Sequence, residues 1–268
     1  MKDLVWSWGD NADGELGLNS VISYSVPQSA SSGTSWKYIG AGNKHILTIE
    51  GATGLAYAWG KNDFGQLGNN SITNASLPVS VSSATSWKQF AAFTHTVGIA
   101  GATGLAYAWG DNTSGALGDN STTSKSVPVS VSSAISWKQI DCGLNFTVGI
   151  DGSNGLAYAW GANGSGQLGN NSRTDASIPQ SVSSATSWRE IAAGGLHTIA
   201  IAGATGLAYA WGNNSYGRLG TGNTTSYSVP TSVNSTVSWT NIAAGNNHTA
   251  GTVGSSGLVY AWGRNSFG

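Results

Sequence analysis

Large and small side chains alternate strictly in one short segment of the chain, "LAYAWG" at residues 55–60. One set of alternate positions holds Leu, Tyr and Trp, and the other holds Ala, Ala and Gly. A period of two predicts a β-strand. Because the second set is small rather than polar, we expect sheets that are buried on both faces, with the large face of one sheet against the small face of its neighbour.

Three further strands are predicted within the same stretch of about fifty residues. They lie near residues 35–41 ("SWKYIGA"), 45–50 ("HILTIE") and 77–81 ("LPVSV"), and glycine-rich turns separate the first strand from the second and the second from "LAYAWG". The last strand of each copy carries a proline: Pro27, Pro78, Pro128, Pro179 and Pro230. Since proline has no N–H to donate to a neighbouring strand, we expect this strand at the outer edge of its sheet.

This set of strands recurs along the whole chain of 268 residues. A Trp-Gly pair occurs six times, at intervals of 51, 50, 51, 51 and 51 residues: Trp8, Trp59, Trp109, Trp160, Trp211 and Trp262. A Ser-Trp pair repeats with the same one-residue shortening in the second copy. Four short antiparallel strands per unit predict a propeller blade. We therefore predict an all-β, single propeller domain over residues 1–268, in copies of about 4–54, 55–104, 105–154, 155–206, 207–257 and a partial 258–268.

The repeated residues resemble those of a known family. "YAWGKNDFGQLGNNS", then "LPVSV" and "WKQFAAFTHTVGI", are similar to the regulator-of-chromosome-condensation (RCC-type) repeat, with its Trp-Gly pair, Asn, Gly-Gln-Leu-Gly turn, Pro and His-Thr. The similarity extends from Leu4 to Gly268. It implies a β-propeller, in most members one of seven blades.

The number of copies departs from that pattern, because seven blades of this size need roughly 350 residues. Four complete copies run from Trp36 to about Val233, the N-terminus adds the last two strands of a blade, and the C-terminus adds the first three. We expect about five blades, with both chain ends sharing one blade and one Trp-Gly strand left over. The alternatives are a piece of a larger ring, or two chains that complete each other as a homo-oligomer.

Composition narrows the classes of partner. Lys and Arg number 11 against 12 Asp and Glu, and charged residues make up only 9% of the chain. Nucleic-acid binding needs a concentrated positive field, so we expect no nucleic-acid partner. No apolar run reaches the roughly 18 residues of a membrane helix, so we expect no membrane insertion. The start, "MKDLVWSWGD", lacks the apolar stretch of a signal peptide, and the localisation stays open between the cytoplasm and a cell or virion surface.

Candidate catalytic residues are few. The histidines, His45, His95, His197 and His248, occupy equivalent places in different copies, where Phe146 stands in the third copy. Spread around a ring, they are too far apart to share a metal ion. We expect each to form a hydrogen bond within its own blade, and Cys142, which aligns with Ala193, to be a small buried residue. The sequence thus predicts a protein that is not an enzyme and holds no metal ion or cofactor.

The connection between the Trp-Gly strand and the Pro strand varies most among the copies, and at about 15 residues it is long for a hairpin. Rigid scaffolds usually carry recognition on such loops. Phe64, Tyr216 and Phe267 occupy equivalent positions and are candidates to stack on a ligand, while Lys125 and Arg173 lie in or beside the second half of the connection. The alternative is that the aromatic rings pack over their own turns and the charged side chains are simply solvated.

Four functional hypotheses remain open at this point. The first is a non-enzymatic binding or scaffold propeller that recognises a protein or a glycan through its blade loops. The resemblance implies a second, guanine-nucleotide exchange on a small GTPase, although no copy carries an inserted loop for that task. A third is enzyme inhibition, by analogy with a propeller type of shorter repeat. The fourth is an engineered or recently amplified repeat array with no specific ligand, since "GATGLAYAWG" occurs identically three times.

Overall fold

The computed structural model describes residues 5–30, 35–233 and 236–266. These residues form 21 β-strands and no helix. Accordingly, the described part of the chain contains no helix that could cross a membrane.

The strands form six sheets in chain order. The N-terminal sheet consists of β1 (Trp6–Gly9) and β2 (Tyr24–Ser29). Blade 1 consists of β3 (Trp36–Ala41), β4 (His45–Glu50), β5 (Ala56–Gly60) and β6 (Ala75–Ser80), and blade 2 of β7 (Trp87–Ala92), β8 (His95–Ala100), β9 (Ala106–Gly110) and β10 (Lys125–Ser130). Blade 3 consists of β11 (Trp137–Gly143), β12 (Phe146–Asp151), β13 (Ala157–Gly161) and β14 (Ala176–Ser181), and blade 4 of β15 (Trp188–Ala193), β16 (His197–Ala202), β17 (Ala208–Gly212) and β18 (Tyr227–Ser232). The C-terminal sheet consists of β19 (Trp239–Ala244), β20 (His248–Val253) and β21 (Val259–Gly263).

Each complete blade is a meander of four antiparallel strands in the order in which the chain makes them. We call them the first to fourth strands. The first strands of successive sheets contact one another, β3 to β7, β7 to β11, β11 to β15 and β15 to β19, and so line the axis. The fourth strand, which carries the proline, lies at the opposite edge, as predicted from its missing N–H.

Successive sheets nest large face against small face, as the alternation in "LAYAWG" predicts. Between blades 3 and 4, Ala157 and Ala159 of β13 share one buried cluster with Trp188 and Trp211 of the next blade. The same arrangement recurs at the other junctions. Burying apolar surface on both faces of every complete blade stabilises the stack, at about 25 cal/mol for each Å² removed from water.

The large face of each sheet is built from aromatic rings at fixed spacing. The first-strand Trp meets the third-strand Tyr of its own blade edge to face, as in Trp137 and Tyr158, whose ring centroids are 5.9 Å apart at 89°. It also tilts against the third-strand Trp, with 5.4 Å between the ring centroids of Trp137 and Trp160. These orientations are the favourable ones for aromatic quadrupoles.

The two chain ends do not share one blade, which corrects the arrangement expected from the sequence. The N-terminal and C-terminal sheets are separate, and among the described residues no strand of one is hydrogen-bonded to a strand of the other. Both β1 and β21 are third strands, and a blade has only one such position. Trp8, on the large face of β1, is 59% exposed, whereas its counterpart Trp59 is fully buried. The total of 21 strands still corresponds to about five blades.

Candidate binding face

Neighbouring blades are joined by a chain of buried hydrogen bonds. His45 of blade 1 lies 2.9 Å from the Thr96 hydroxyl of blade 2, between Nε2 and Oγ1. The Thr96 hydroxyl donates to the carbonyl oxygen of Gln66, in the loop that leaves blade 1. The Trp109 indole of blade 2 donates to the same oxygen at 3.0 Å. Two side chains of one blade are thus bound to the loop of the blade before it.

The same His–Thr contact recurs at two further junctions: His95 with Thr147 at 2.7 Å, and His197 with Thr249 at 2.8 Å. Because each Thr hydroxyl gives its proton to a carbonyl, the His must donate from Nε2, which assigns the tautomer. Burial lowers the pKa of His45, His95 and His197 to about 3, so these imidazoles are neutral near pH 7.

These histidines connect blades rather than bonding within one blade, which corrects the expectation from the sequence. The partner Thr lies 51 or 52 residues further along, in the next copy. At the junction after blade 3, Phe146 fills the His position and is fully buried. His248 belongs to the C-terminal sheet and is exposed. A neutral, buried imidazole whose Nε2 is held by a threonine hydroxyl does not serve as a general acid or base at neutral pH.

The connection from third to fourth strand, which we call the crossing loop, is held by one buried asparagine per copy. In blade 3, Asn163 accepts a hydrogen bond from the Leu168 N–H at 3.0 Å and donates to the carbonyls of Ser172 and Thr174, each at 3.1 Å. The equivalent residues are likewise fully buried: Asn11, Asn62, Asn112 and Asn214. A polar group without water must find its partners in the protein, so each loop has a defined conformation.

Each crossing loop lies over the blade that follows it. The Asn70 N–H donates to the Ser126 carbonyl of blade 2 at 2.8 Å, with Asn70 at φ 60°. Gly169, at φ 68°, sits so close to the next Trp that a Cβ there would be 2.6 Å from the Trp211 Nε1. Both its dihedral angle and this contact require glycine. The crossing loops therefore belong to the interblade packing as much as to the surface.

The crossing loops and the turns between first and second strands lie on one face of the molecule, which extends inward to the axis. We call it the crossing-loop face. In blades 1, 3 and 4 the first residue of the loop is bonded to the turn between first and second strands, as in the Lys61 N–H to the Lys44 carbonyl at 2.8 Å. Those turns are in turn bonded to one another, through Asn43 N–H to Phe93 O and Leu144 N–H to Gly195 O. The face is thus a continuous, hydrogen-bonded surface.

An opening of about 260 Å³ marks the axis on this face, with walls from the first strands of four blades and the C-terminal sheet. Asp141 is the carboxylate in its wall. Its oxygens accept hydrogen bonds from the Ala193 and Cys142 N–H groups, at 2.8 and 2.9 Å. Burial outweighs these bonds and raises the pKa of Asp141 to about 6. Cys142 is buried, as predicted from its alignment with Ala193, and burial raises the pKa of its thiol well above the usual value.

Phe64 and Lys125 lie at the same junction of the crossing-loop face, between blades 1 and 2. Phe64 is 43% exposed at the tip of the loop from blade 1. The adjacent Gly65 packs against the backbone of Lys125 and Ser126 in blade 2, so closely that a Cβ on this glycine would lie 2.9 Å from the Lys125 carbonyl oxygen. Lys125 pairs with Asp119 at 3.7 Å. An aromatic ring and a cation therefore share one junction.

Tyr216 and Arg173 lie on other loops. Tyr216 is 48% exposed and lies between two guanidinium groups, with Arg218 and Arg264 at 5.3 and 5.1 Å from its ring centre. Tyr216 thus contacts one arginine of its own turn and one that follows β21, while part of its ring faces solvent. Arg173 is exposed and donates to the Gly164 carbonyl of its own loop at 3.3 Å. Phe267, the third aromatic candidate, lies outside the described residues.

Sequence reasoning missed Arg218, which takes the place of Gln66 and Gln167. Each glutamine accepts a hydrogen bond from a loop N–H two residues before it, which arginine cannot do. Arg218 is 3% exposed, and burial lowers the pKa of its guanidinium. Its Nη1 donates to the Asn246 carbonyl. The available signal was an arginine at a repeat position that holds Glu15, Gln66, Ala116 and Gln167 in the other copies.

A family model described as the RCC1-like domain matches residues 4–268. The chain belongs to the RCC1-like domain family. Among curated relatives, the RCC1-like chain is 29% identical to the ultraviolet-B receptor UVR8 of Arabidopsis thaliana over 274 residues, which covers 100% of this chain and 50% of that one. It is 33% identical to the probable E3 ubiquitin-protein ligase HERC3 of Homo sapiens over 233 residues, or 85% of this chain and 17% of that one.

Solved structures show the same fold at lower identity. The TM-score is 0.83 with Prp20p of Saccharomyces cerevisiae, at 22% identity, covering 97% of this chain and 68% of that chain. With human WBSCR16 it is 0.82, at 21% identity, covering 98% and 68%. The RCC1-like chain thus spans half the length of UVR8 and about two thirds of these structures. Its sheets are arranged as in part of each of these longer chains.

Proposed function

We propose that this RCC1-like propeller is a non-enzymatic scaffold that binds another protein on its crossing-loop face. One observation carries the proposal: the loops are fixed by buried asparagines and interblade hydrogen bonds, while the half-buried or exposed residues at equivalent loop-tip positions differ from copy to copy. At one loop-tip position the successive copies have Asp13, Phe64, Ser114, Ser165 and Tyr216. A rigid framework with varied exposed side chains is the arrangement that recognition surfaces use.

The chemistry of this face favours a protein partner. Exposed apolar residues, Phe64, Ile72 and Tyr216, are separated by uncharged Ser, Thr and Asn, with single charges such as Arg173. Aromatic anchors within a polar surround are typical of non-obligate protein interfaces. The relatives support the same class of function, because the Prp20p structure is described together with its binding to Gsp1p and histones.

The test compares the wild type with variants that remove only the loop-tip side chains. Phe64→Ser and Tyr216→Ser place the serine of two other copies at the same position, so the loop conformation should be kept. Ala102→Glu, on an exposed turn at the opposite ends of the strands, is the control. Proteins retained on immobilised wild type and on the control are quantified by mass spectrometry. A true partner should fall by about tenfold, or about 1.4 kcal/mol, with the serine variants.

Two outcomes would contradict the proposal. Retention of the same proteins at the same level by all variants would show that the crossing-loop face does not select them. Accelerated nucleotide release from a small GTPase at micromolar protein would favour the exchange-factor hypothesis instead. A glycan array probed with the same variants separates glycan binding from protein binding, and a glycan signal lost with Phe64→Ser would replace the proposed class of partner.

A further inference from the structure

Four of the chain's 11 lysines and arginines occupy one repeat position, the second residue of the first strand in each complete blade. We call them the cationic arc: Lys37, Lys88, Lys138 and Arg189. The C-terminal sheet has Thr240 at the same position. Because acidic and basic residues are nearly balanced in the whole chain, its composition gives no sign of this concentration of positive charge.

The cationic arc lies around the axis, on the face opposite the crossing-loop face. First strands line the axis, and each of them ends at a turn of the crossing-loop face, so its second residue lies at the other mouth of the axis. The Lys138 ammonium donates to the Arg189 carbonyl at 3.0 Å, and the Arg189 guanidinium donates to the carbonyls of Trp239 and Thr240. These two side chains thus extend to the next sheet, and the positive charges follow one another from blade to blade.

A β-bulge sets each member of the arc outside its strand ladder. In blade 1, Trp36 pairs with Glu50 and Tyr38 pairs with Ile49, so the register leaves Lys37 without a partner. The same shift recurs in the other first strands. A bulge leaves its extra residue unpaired and re-aims the side chain. All four arc residues are exposed, although each of them follows a buried tryptophan.

No ion pair neutralises the arc within the described part of the chain, where the three ion pairs involve other lysines. Three carboxylates lie near this mouth of the axis, and each accepts a hydrogen bond from another group: Glu50 from Thr53, Asp151 from Ser153, and Glu190 from Ile242. Positive charges that are held near one another without counter-ions repel, so a bound anion would lower the electrostatic energy of this surface.

The surface around the arc is built from small, uncharged residues. The loops that lead into the first strands of blades 2, 3 and 4, residues 82–86, 132–136 and 183–187, contain only Ser, Ala, Thr and Ile. The turns between second and third strands are equally small, as in "GATG" at 101–104. The arc is formed wholly by the four complete blades. A ligand can therefore reach these cations without displacing a bulky side chain of those loops and turns.

We propose that the cationic arc binds a compact anion that carries several phosphate groups, such as an inositol polyphosphate or a short inorganic polyphosphate. Lysine binds phosphate as a point charge, and the arginine fork binds two phosphate oxygens at once. Because the arc curves around the axis, a compact ligand reaches several of its members, whereas a nucleic-acid strand needs a groove that follows its backbone. The site lies on the face opposite the loop tips, so its failure would leave the proposed partner binding unaffected.

The first test is calorimetric titration of the protein with inositol hexakisphosphate and, in parallel, with inorganic tripolyphosphate. Saturable binding is expected, and the affinity should fall by about fivefold or more between about 50 mM and about 300 mM NaCl, because salt screens exposed charges. Inorganic phosphate should bind about tenfold more weakly or less, since a single group contacts fewer cations. Binding of either polyphosphate supports the proposal, and the tighter of the two distinguishes a cyclic from a linear ligand.

The second test exchanges arc residues for one that the chain itself has at this position. Lys37→Thr and Lys88→Thr copy Thr240, and neither lysine has a hydrogen-bond partner among the described residues. Each variant should bind about two- to fivefold more weakly, the effect of one exposed charge pair. Thr240→Lys adds a fifth cation and should raise the affinity by a similar factor, a gain that misfolding cannot produce. Lys61→Ala copies Ala162 on the crossing-loop face, removes the same net charge and should leave the affinity within about twofold.

Three results would overturn the proposal. The first is absence of saturable binding of both polyphosphates up to a concentration of about 1 mM. The second is an equal loss of affinity in Lys61→Ala and Lys88→Thr, which would show that only the net charge of the protein matters. The third is tighter binding of a single-stranded oligonucleotide or of polyglutamate with the same charge, which would assign the arc to another class of ligand.

Discussion

His95 and Thr147 belong to different blades, yet their side chains meet at 2.7 Å in a fully buried contact. The contact is repeated at other junctions, so the blades of this chain are held together by hydrogen bonds as well as by nested apolar faces. Because Thr147 then donates to the Ala116 carbonyl, the contact also fixes the crossing loop. The packing of the blades and the conformation of the crossing loop therefore depend on the same residues.

Acid should destabilise the protein through these histidines. The folded-state pKa of about 3 is below the unfolded value of 6.5, so the stabilisation is complete above pH 6.5 and is lost as the pH falls toward 3. One such residue contributes a slope of about 1.4 kcal/mol per pH unit in that range. His95→Phe, which copies Phe146 of the next blade, should reduce the slope by about that amount. Urea unfolding at pH 4, 5, 6 and 7 measures it, and an unchanged slope would contradict the assignment.

Asp141 should make the protein less stable as the pH rises, which is the opposite of the effect of the histidines. Its pKa is raised to about 6 in the folded state, so the folded protein binds the proton more tightly, and stability falls as the pH rises from about 4 to 6. Asp141→Ala introduces the residue found at the equivalent Ala192. Relative to this variant, the wild type should lose stability by about 1.4 kcal/mol per pH unit within the window. The histidines cancel in the comparison. Parallel urea curves at all pH values would show that Asp141 is not so perturbed.

The crossing loop should depend on its buried asparagine. Asn163→Ala removes one acceptor and one donor group and leaves buried backbone partners unsatisfied, so the free energy of unfolding should fall by about 3 kcal/mol. Asn163→Asp keeps the shape and the contact with the Leu168 N–H but cannot donate to the Ser172 and Thr174 carbonyls. The Asp variant should also have a lower free energy of unfolding than the wild type, and amide hydrogen exchange should become faster in residues 162–175. Wild-type stability in the Asp variant would show that those two bonds contribute little.

The sequence predicted what depends on local pattern and period. Alternation in "LAYAWG" indicated both the strand and the nesting of alanine against tryptophan, and the recurring proline indicated the outer edge. All three are confirmed by the clusters and strand order. The strand bounds near 35–41, 45–50 and 55–60 agree with the structure to within a residue.

Contacts between copies were harder to predict, because a pattern within one copy does not specify its neighbour. The His–Thr contact joins residues that are 51 or 52 positions apart. Because His and Thr side chains can each form hydrogen bonds with many kinds of partner, the sequence does not indicate that they pair with each other. The prediction that the two chain ends share one blade was wrong for a related reason. The sequence shows one third strand too many for a closed ring, but it does not show where the two ends lie relative to each other. The ligand-contact role of Phe64, Tyr216, Phe267, Arg173 and Lys125 stays a prediction.

The nesting of sheets can be tested at one repeat position in two environments. Ala159 of blade 3 is fully buried against the large face of blade 4, whereas Ala261, at the equivalent position of the C-terminal sheet, is exposed. Phenylalanine has no room at the first position and free space at the second. We predict that Ala159→Phe lowers the free energy of unfolding by about 3 kcal/mol, while Ala261→Phe changes it by less than about 0.5 kcal/mol. Equal effects of the two substitutions in urea unfolding would contradict the nested arrangement on which the whole account rests.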